Sequence, residues 1–551
     1  MLEEIVEIPI SNLSCHSNRG LGILGDESDF SSFVMYAGGL TTALAPVLKA
    51  SEGREGALWV STAVTDFERK FFAGGKEALL SYDGGQIRTR EAVPETQDVY
   101  HSAYKRFSKQ LWYFLHLTKR FFDWNYCGYP KPMIPNENFE DYKSLNMAHA
   151  EIAKGVLNSR EGNHIIASHD FHLMLLANTI DDLIKHGDIR NNKVLKSIYM
   201  HTPMPEVEIL DHLINTAYMD VDTVSYLFKG MLANHVITLQ KKDFQENLVK
   251  IYEKLGFDVM EGDNEDYIVM HDGDRRTHLM TNPIGLDTER VLNAARNTPL
   301  DALKKYKFGE DSLYDILKRF KGGEYTNETT GKTDTYRILS GIERLDPTKG
   351  GLRKLMALGQ IQDRAIREDR RFIYIAFLPG DVGGNLKSNM VRQAKIMNEK
   401  SRDAWRRDSV YLSFGPINFP DTILLMKETD LFLVTPLDDG MNLTVGEYIM
   451  SQAVKQYGER GGLVLAQSGA ARTLKEGGIK YADGVRFISF EDFGLTCDLI
   501  YKTIKDMPKL GDMPISLIKG SDVRKRWFPR EMDNLRYASG VSFRIPLSTS
   551  L

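Results

Sequence analysis

Cysteine is scarce in this chain, and the few cysteines form no pattern. There are three among 551 residues, Cys15, Cys127 and Cys497, and no two of them form a CxxC pair. Such wide spacing argues against a disulfide framework and against a structural zinc site. We therefore expect a protein of a reducing compartment.

Neither charge sign dominates, and long apolar runs are lacking. The 70 Lys and Arg residues nearly balance the 75 Asp and Glu residues, so electrostatics give no reason to expect a nucleic acid or an anionic membrane as partner. No apolar run reaches about 18 residues, and the acidic start MLEEIVEIPI lacks the basic region of a signal peptide. With 42% hydrophobic residues, the composition is that of a soluble protein of two or three domains, expected in the cytoplasm and compatible with a homo-oligomer.

Short apolar runs alternate with amphipathic stretches, which is typical of an α/β protein. In the first half, this pattern predicts strands at 163–168, 197–200, 234–239 and 277–280, and helices at 143–157 and 204–217. In the second half, it predicts strands at 336–341, 371–377, 409–414, 430–435 and 462–466. A helix is predicted at 421–428, with Asp421 as its N-cap.

Changes of composition divide the chain into four parts. Pro283 and Gly285 end the first series of strands, so we place a first domain at 1–285. Residues 286–335 are charged and mostly helical, and they end in GGEYTNETTGKTDT, which predicts a mobile loop or linker. A second domain is predicted at 336–500, followed at 501–551 by a helical tail that can cross back to the first. Two such domains form a cleft in which strand ends and helix starts bind phosphate-bearing ligands.

Two segments that follow strands of the first domain carry candidate chemistry. In SHDFHL (168–173), two histidines and a carboxylate could chelate a metal. One run supplies too few ligands, so we favour Asp170 as a hydrogen-bond acceptor for a ligand hydroxyl. His169 and His172 are equally well explained as caps of the next helix. His201, in YMHTPMP, stands at a strand end before two prolines and is placed to face a cleft, with a purely structural role as the alternative.

Two further segments follow strands of the second domain. In GIERLDPTKG, Arg344 and Lys349 suit a diphosphate, although a surface turn is the simpler interpretation of this segment alone. In TPLDDGMNLTVGEY, the turn at Gly440 would leave backbone amides free at the start of a helix running to about residue 455. Glu447 could reach a ribose diol. The structural alternative makes Asp439 the N-cap of that helix and Glu447 a solvated helix residue.

These motifs together resemble a known family. HDFHLMLL, HTPMPEVEI, ERLDPTKG and DDGMNLTVGEY occur in the order and spacing found in the trehalose-6-phosphate synthase family, and PIGLD ends the first domain in the same way. The resemblance covers about residues 15–500. It implies the GT-B fold, an α/β architecture of two Rossmann-like domains facing a central cleft, with the acceptor bound by the first and the nucleotide sugar by the second. It also implies a retaining, metal-independent glycosyltransferase without a cofactor that moves glucose from a nucleotide sugar, expected to be UDP-glucose, to a phosphorylated acceptor.

The resemblance gives each motif position an expected role. Arg344 and Lys349 are expected to hold the diphosphate, Glu447 the ribose, and Asp439 with the amides of 441–443 the sugar hydroxyls. The expected catalytic residues are His201, Arg344, Lys349 and Asp439. The expected donor-binding residues are Gly38, Gly39, Arg344, Lys349, Asp439, Gly440, Met441, Asn442, Leu443 and Glu447, and the expected acceptor-binding residues are Arg19, Tyr104, Trp112 and Asp170. No metal ligands are expected.

The acceptor side departs from the family pattern. The family's second tryptophan after Leu58-Trp59 falls on Ser61 or Thr62, and Pro379 stands where the family has an arginine for the acceptor phosphate. Arg19 resembles the family's N-terminal arginine, with an alignment on Ser11-Asn12-Leu13 as the alternative. On the donor side, Asp438 and Gly446 replace an arginine and a lysine.

Three functions therefore compete. The first is a trehalose-6-phosphate synthase. The second applies the same donor chemistry to another acceptor, such as glycerol 3-phosphate or a cyclitol phosphate. The third is a non-catalytic sugar-phosphate-binding or regulatory protein on the same fold.

Overall fold

The chain forms two compact units. The computed structural model describes residues 6–19, 22–24, 33–35, 39–49, 56–82, 85–117, 134, 138–216, 218–380, 385–466 and 468–545. Unit 1 holds the described residues up to 285 together with those from 523 onward, and residues 286–522 belong to unit 2. None of the described helices combines the length and the apolar character needed to cross a membrane.

Unit 1 is built on a large, mostly parallel sheet with helices between its strands. Its strands up to residue 285 are β1 (Val6–Glu7), β2 (Leu13–Ser17), β3 (Gly22–Leu24), β4 (Phe33–Met35), β5 (Leu58–Thr62), β6 (Ala78–Tyr82), β7 (Gly85–Ala92), β8 (His164–His169), β9 (Val194–Met200), β10 (Val236–Leu239), β11 (Asp258–Glu261), β12 (Tyr267–His271) and β13 (Arg275–Thr281). Its helices there are α1 (Gly39–Lys49), α2 (Asp66–Phe72), α3 (Gln97–His101), α4 (Lys109–Leu115), α5 (Phe139–Ser159), α6 (Leu176–Lys185), α7 (Val207–Asn215), α8 (Val221–Met231) and α9 (Lys242–Lys254), with a π-helix at Ser102–Ser108.

The strand order of unit 1 creates a point of reversal. The ten strands are ordered β11-β12-β13-β10-β9-β8-β2-β5-β7-β6, and every pair from β13 to β7 is parallel. The sheet grows from β2 to β5 and β7 on one side and then restarts with β8, β9 and β10 on the other. Every residue of β2, β5, β8 and β9 is buried, as expected for a sheet covered on both faces. The switch point between β2 and β8 is where such folds bind ligands, at the carboxyl ends of the strands.

Unit 2 repeats this plan with a sheet of six parallel strands, and four further strands form two antiparallel pairs. Its strands are β14 (Lys307–Phe308), β15 (Asp311–Ser312), β16 (Glu324–Thr326), β17 (Thr333–Thr335), β18 (Arg337–Ile342), β19 (Phe372–Phe377), β20 (Val410–Ser413), β21 (Leu431–Val434), β22 (Gly462–Leu465) and β23 (Val485–Phe487). Its helices are α10 (Thr288–Asn297), α11 (Leu313–Phe320), α12 (Gly351–Arg367), α13 (Leu386–Trp405), α14 (Phe419–Glu428), α15 (Leu443–Gln452), α16 (Gly469–Glu476), α17 (Phe493–Asp506) and α18 (Asp512–Lys519). The sheet order β20-β19-β18-β21-β22-β23 is that of a Rossmann fold, with its switch point between β18 and β21.

The end of the described chain rejoins unit 1. It comprises a π-helix at Val523–Trp527, α19 (Phe528–Ser539) and β24 (Phe543–Arg544). Strand β24 pairs in parallel with β1, and α19 packs on β9, β10 and β13. Residues 501–522 of the expected tail instead belong to unit 2.

The expected linker and the start of α14 both differ from the prediction. The end of the expected linker forms a hairpin, β16–β17, because Tyr325 and Asn327 are buried and hydrogen-bond to the carbonyl of Asp369. Asp421 is not the N-cap of α14. That position belongs to Asn418, whose side chain accepts from the amide of Asp421, because the helix begins at Phe419, two residues earlier than predicted.

Candidate active site

The loops after β18 and β21 carry most of the predicted donor residues. Arg344 and Lys349 follow β18, and residues 439–442 follow β21. A backbone hydrogen bond of 2.7 Å from the amide of Leu437 to the carbonyl of Thr348 joins the two loops at the switch point of unit 2. The structure therefore brings these predicted segments together.

A short ion pair crosses the same junction. Lys349 Nζ lies 2.5 Å from Asp439 Oδ2, and the two side chains are only 13% and 10% exposed. The loops can approach this closely because Gly350 has φ +68°, and a Cβ there would lie 2.1 Å from the carbonyl oxygen of Thr435. The ion pair unites two of the four residues predicted to be catalytic.

The turn at 438–442 is held against the start of α16. The amides of Gly469 and Ala470 each donate a backbone hydrogen bond of 3.0 Å to carbonyls of this turn. Only glycine fits at 469, because a Cβ there would lie 1.7 Å from the carbonyl oxygen of Gly440. The start of α16 thus fixes the turn through two backbone hydrogen bonds and a close backbone contact.

Helix α15 begins directly after this turn. Its first residue is Leu443 and its N-cap is Asn442, which has φ +61°, so the alternative with Asp439 as N-cap is wrong. The helix ends at Gln452 and not near residue 455. The first amides of a helix lack acceptors within it and are available to a ligand.

Glu447 lies one turn further along α15 and is buried rather than solvated. Burial raises the pKa of its carboxyl from 4.5 to about 7, although the charge of Arg290 acts in the opposite direction. A buried carboxyl of this kind is costly to ionise, which is more typical of a binding site than of a solvated face.

Two ion pairs that were not predicted from the sequence support these loops. Lys354 of α12 is fully buried, and its Nζ lies 2.8 Å from Glu343 Oε2 and 3.0 Å from the carbonyl oxygen of Leu433. Its position on the apolar face of α12 was a signal in the sequence, since a lysine there must find a partner. Asp438 is paired with Arg472 of α16, at 3.5 Å between Oδ2 and Nη2, which no local pattern indicated.

In unit 1, Asp170 and His201 follow the neighbouring strands β8 and β9. Asp170 has φ +73°, which residues other than glycine rarely adopt. Its amide donates to the carbonyl of Tyr199 at 2.8 Å, and its Oδ1 accepts from the amide of His201 at 3.2 Å. Backbone strain of this kind is concentrated at functional sites.

His201 is paired with His169. Nε2 of His201 and Nδ1 of His169 are 3.1 Å apart, so His169 does not cap the next helix as the alternative assumed. Burial lowers the pKa of both imidazoles, that of His169 to about 3, and the proximity of His169 lowers the pKa of His201 further. Both rings are therefore neutral near pH 7.

The predicted acceptor residues form an aromatic cluster. Arg19 Nη2 donates to the hydroxyl of Tyr104 at 2.6 Å, and the ring of Tyr104 stacks on His172 with centroids 5.5 Å apart. Tyr104 lies in the π-helix, a conformation frequent at functional sites. Trp112 lies 5.8 Å from Phe171 between ring centroids. Nothing in the sequence indicated that His172 would stack on Tyr104.

The start of unit 1 bears on the two alignments considered for the N-terminal arginine. Ser11 and Asn12 precede β2, whereas Arg19 follows it at the switch point.

Thr62, at the end of β5, is buried, and its hydroxyl donates to Asn18 Oδ1 at 3.2 Å and lies 2.9 Å from His149 Nε2. Thr62, one of the two residues that can correspond to the family's tryptophan, is therefore engaged within unit 1.

Two further expectations concern the glycine pair at 38–39 and a metal site. Gly38 lies outside the described residues, and Gly39 is the first residue of α1. In the part of the chain that the structure describes, His, Cys, Asp and Glu side chains do not gather in threes as a metal site requires. The HDFH segment instead makes the contacts given above.

Comparison with known proteins identifies the family. Glycosyltransferase family 20 matches residues 24–480. A bifunctional trehalose-6-phosphate synthase/phosphatase of Thermoproteus tenax is 24% identical over 463 residues, which cover 80% of this chain and 53% of the relative. A UDP-forming alpha,alpha-trehalose-phosphate synthase of Arabidopsis thaliana is 24% identical over 81% of this chain and 42% of its own length. The chain thus spans about half the length of these curated relatives.

Solved structures share the fold over nearly the whole chain. A UDP-forming alpha,alpha-trehalose-phosphate synthase from Burkholderia xenovorans, in complex with glucose-6-phosphate, superposes with a TM-score of 0.70 at 17% identity and covers 95% of this chain and 100% of its own. A structure from E. coli bound with UDP-2-fluoro glucose gives 0.69 at 18% identity, with coverages of 95% and 98%. This likeness confirms the predicted GT-B fold with its Rossmann-like α/β units. Because the family match spans most of the sequence, the chain belongs to glycosyltransferase family 20.

Proposed function

We propose that this chain is a retaining glycosyltransferase that moves glucose from UDP-glucose to a phosphorylated acceptor. The observation that carries the proposal is the Lys349–Asp439 pair at the switch point of unit 2, which sets a cation for a diphosphate beside a carboxylate for sugar hydroxyls. Arg344 and the first amides of α15 add further donors. Negative charge that develops on the departing diphosphate would then meet preorganised positive groups.

In the proposed reaction, the bond between glucose C1 and the diphosphate oxygen breaks while an acceptor hydroxyl attacks C1 from the same face. The proton of that hydroxyl passes to the departing diphosphate oxygen, and UDP and the glucosylated acceptor leave. His201 and Asp439 orient the sugar. A neutral His201 suits this role, because an imidazolium would repel the positive character of the glucosyl group in the transition state.

Glucose 6-phosphate is the first candidate acceptor, as in trehalose-6-phosphate synthases. A second candidate is a different phosphorylated polyol or cyclitol, such as glycerol 3-phosphate. It is favoured by Ser61 and Thr62, neither of which offers an aromatic face to a sugar, and by Pro379, which offers no charge to a phosphate. Arg19 remains the expected phosphate contact on the acceptor side.

The purified chain with UDP-glucose and a panel of acceptors tests the proposal. The panel contains glucose 6-phosphate, glycerol 3-phosphate and a cyclitol phosphate, and released UDP and glucosylated product are both measured. Product with retained α-configuration is expected with at least one of them. Binding of UDP-glucose without turnover on any acceptor would instead favour the non-catalytic function.

We also propose that the protein acts in the cytoplasm, since the described cysteines, Cys15 and Cys497, form no disulfide.

A further inference from the structure

The tail that rejoins unit 1 brings a tryptophan into the surroundings of His201. Trp527 is buried, and its ring meets that of Tyr199 edge to face, with centroids 5.3 Å apart and an interplanar angle of 82°. The same ring lies 6.4 Å from the ring of His169. Trp527 was not among the residues predicted from the sequence to belong to the site.

Apart from its chain neighbour Phe528, the rings that Trp527 contacts are also the rings that contact His201. Tyr199 and His201 have centroids 4.6 Å apart, and His169 and His201 have centroids 5.4 Å apart in addition to their 3.1 Å nitrogen contact. The imidazole of His201 is thus oriented by a layer of two rings, and Trp527 forms the next layer behind them.

Hydrogen bonds also connect the tail to Tyr199, one of the two rings that contact His201. The side-chain amide of Asn282 donates to the carbonyl of Trp527 at 3.0 Å and to Glu531 Oε2 at 3.1 Å. The carbonyl of Asn282 accepts from the hydroxyl of Tyr199. The hydroxyl of Thr238 donates to Glu531 Oε1 at 2.7 Å, so both carboxylate oxygens of this buried glutamate are engaged. Asn282 therefore connects Tyr199 directly to the tail.

We propose that Trp527 is a positioning residue for His201, acting through Tyr199 and His169, with Glu531 anchoring the tail that carries it. The inference rests on the proposed function, in which His201 orients the donor sugar. A tilt of the His201 ring displaces a group that must be aligned with the sugar in the transition state, so it costs rate more than binding. Loss of Trp527 should therefore lower kcat with little change in the KM for UDP-glucose.

Trp527→Phe tests this, with Trp405→Phe as the matched control. Trp405 is equally a buried tryptophan that meets an aromatic ring edge to face, Phe372 at 5.8 Å, but it lies in unit 2. We expect Trp527→Phe to lower kcat at least about tenfold while the KM for UDP-glucose changes less than about threefold. Trp405→Phe should leave both constants within about twofold of the wild type. Equal effects of the two substitutions on kcat would overturn the inference.

A double-mutant cycle separates positioning from a general loss of stability. If Trp527 acts through His201, adding Trp527→Phe to His201→Ala lowers kcat no further. Additional loss of the full single-mutant size would overturn the inference. Should Trp527→Phe fail to fold, Tyr199→Phe replaces it in the cycle. This substitution keeps the ring and removes only the hydroxyl that donates to Asn282 and Gln240.

Imidazole ¹⁵N NMR gives a readout that does not depend on turnover. We expect Trp527→Phe to shift the His201 resonance, assigned through His201→Ala, and Trp405→Phe to leave it in place. An unmoved His201 resonance would overturn the inference. A wild-type chain that transfers glucose to no acceptor would overturn the proposed function itself, whereas additive losses in an active enzyme would overturn only the role of Trp527.

Discussion

Lys349 and Asp439 are 90 residues apart in the chain, and yet their side chains meet at 2.5 Å. The strand order of unit 2 is the cause, because β21 pairs beside β18 and the loops that leave the carboxyl ends of both strands become neighbours. Each of the two residues therefore holds the other in the orientation that the proposed donor site requires.

The proposed diphosphate contacts are tested by Arg344→Ala and Lys349→Ala. Each should lower glucosyl transfer at least about 100-fold, because removing one preorganised donor to developing charge costs roughly 3 kcal/mol. Rates at saturating UDP-glucose are the measurement. Lys395→Ala, at a solvent-exposed lysine of α13, is the control and should keep the wild-type rate. A near-native rate for either site variant would show that the diphosphate assignment is wrong.

The close approach of Gly469 to the turn at 438–442 gives a second prediction. Gly469→Ala must push this turn away from α16, and overpacking of this kind costs about 1–3 kcal/mol. We expect the Kd for UDP-glucose, measured by calorimetry, to rise at least about tenfold. Gly458→Ala is the matched control, because a Cβ there meets no atom within 4 Å. Equal affinities of the two variants would contradict the role given to this turn.

Two buried glutamates should make the free energy of unfolding depend on pH. Burial raises the pKa of Glu447 and of Glu531 from 4.5 to about 7. The unfolded chain releases these protons at lower pH than the folded chain does, so stability falls as the pH rises through this window and levels off above about 7. A pKa that moves from 4.5 to about 7 corresponds to roughly 3 kcal/mol for each carboxyl.

Thermal unfolding between about pH 5 and 8 measures this effect. Glu447→Gln and Glu531→Gln should each flatten the curve of melting temperature against pH and raise the melting temperature at the alkaline end. Glu459→Gln, at an exposed position, should retain the wild-type curve. Parallel curves for the wild type and a variant with both buried glutamates replaced would contradict the prediction.

The acceptor site is tested by Arg19→Ala. A phosphate dianion needs roughly two charge-assisted donors, and Pro379 leaves one of the family's two arginines without a counterpart. We expect glucose 6-phosphate to be a weaker acceptor here than in typical family members, and Arg19→Ala to raise the acceptor KM far more than the donor KM. Lys105→Ala and Arg106→Ala, at exposed neighbours of Tyr104, show whether a substitute cation contributes. An efficient reaction with glucose 6-phosphate that is insensitive to Arg19→Ala would contradict this prediction.

Transfer should also survive EDTA without added divalent ions. The reason is that, in the proposed site, Arg344, Lys349 and the start of α15 take the place of the positive charge that Mg²⁺ supplies in other nucleotide-sugar enzymes. Initial rates before and after chelation are compared. A complete loss of activity that returns when metal is added would make the HDFH segment a candidate ligand set again.

The positions of the strands were predictable from the sequence, whereas the order of the strands in each sheet was not. The strand predicted at 371–377 is β19 (Phe372–Phe377), because strands buried on both faces appear as continuous apolar runs. The strand predicted at 197–200 begins earlier, at Val194, because Lys196 is buried in the strand with Asp181 as its partner. The order of strands in a sheet is not encoded in such runs, since both sides of each strand are apolar.

The same limit applies to the candidate site. Polar residues directly after apolar runs were recognisable, and this is why Arg344, Asp439 and His201 could be named in advance. Contacts between distant segments, such as Tyr104 with His172 or Trp527 with Tyr199, depend on the path of the chain in three dimensions. No spacing in the sequence reports them.

The return of the tail to unit 1 has a consequence for biosynthesis. Residues 523–545 leave the ribosome after all of unit 2, but β24 pairs with β1 and α19 covers β9, β10 and β13. While the ribosome is still translating, unit 1 therefore exposes the sheet face that α19 will cover, whereas every segment of unit 2 up to residue 522 is already available. Of the two units, unit 1 is thus the one that begins first and is completed last, and a nascent chain stalled before residue 523 is expected to leave uncovered the strands on which α19 packs.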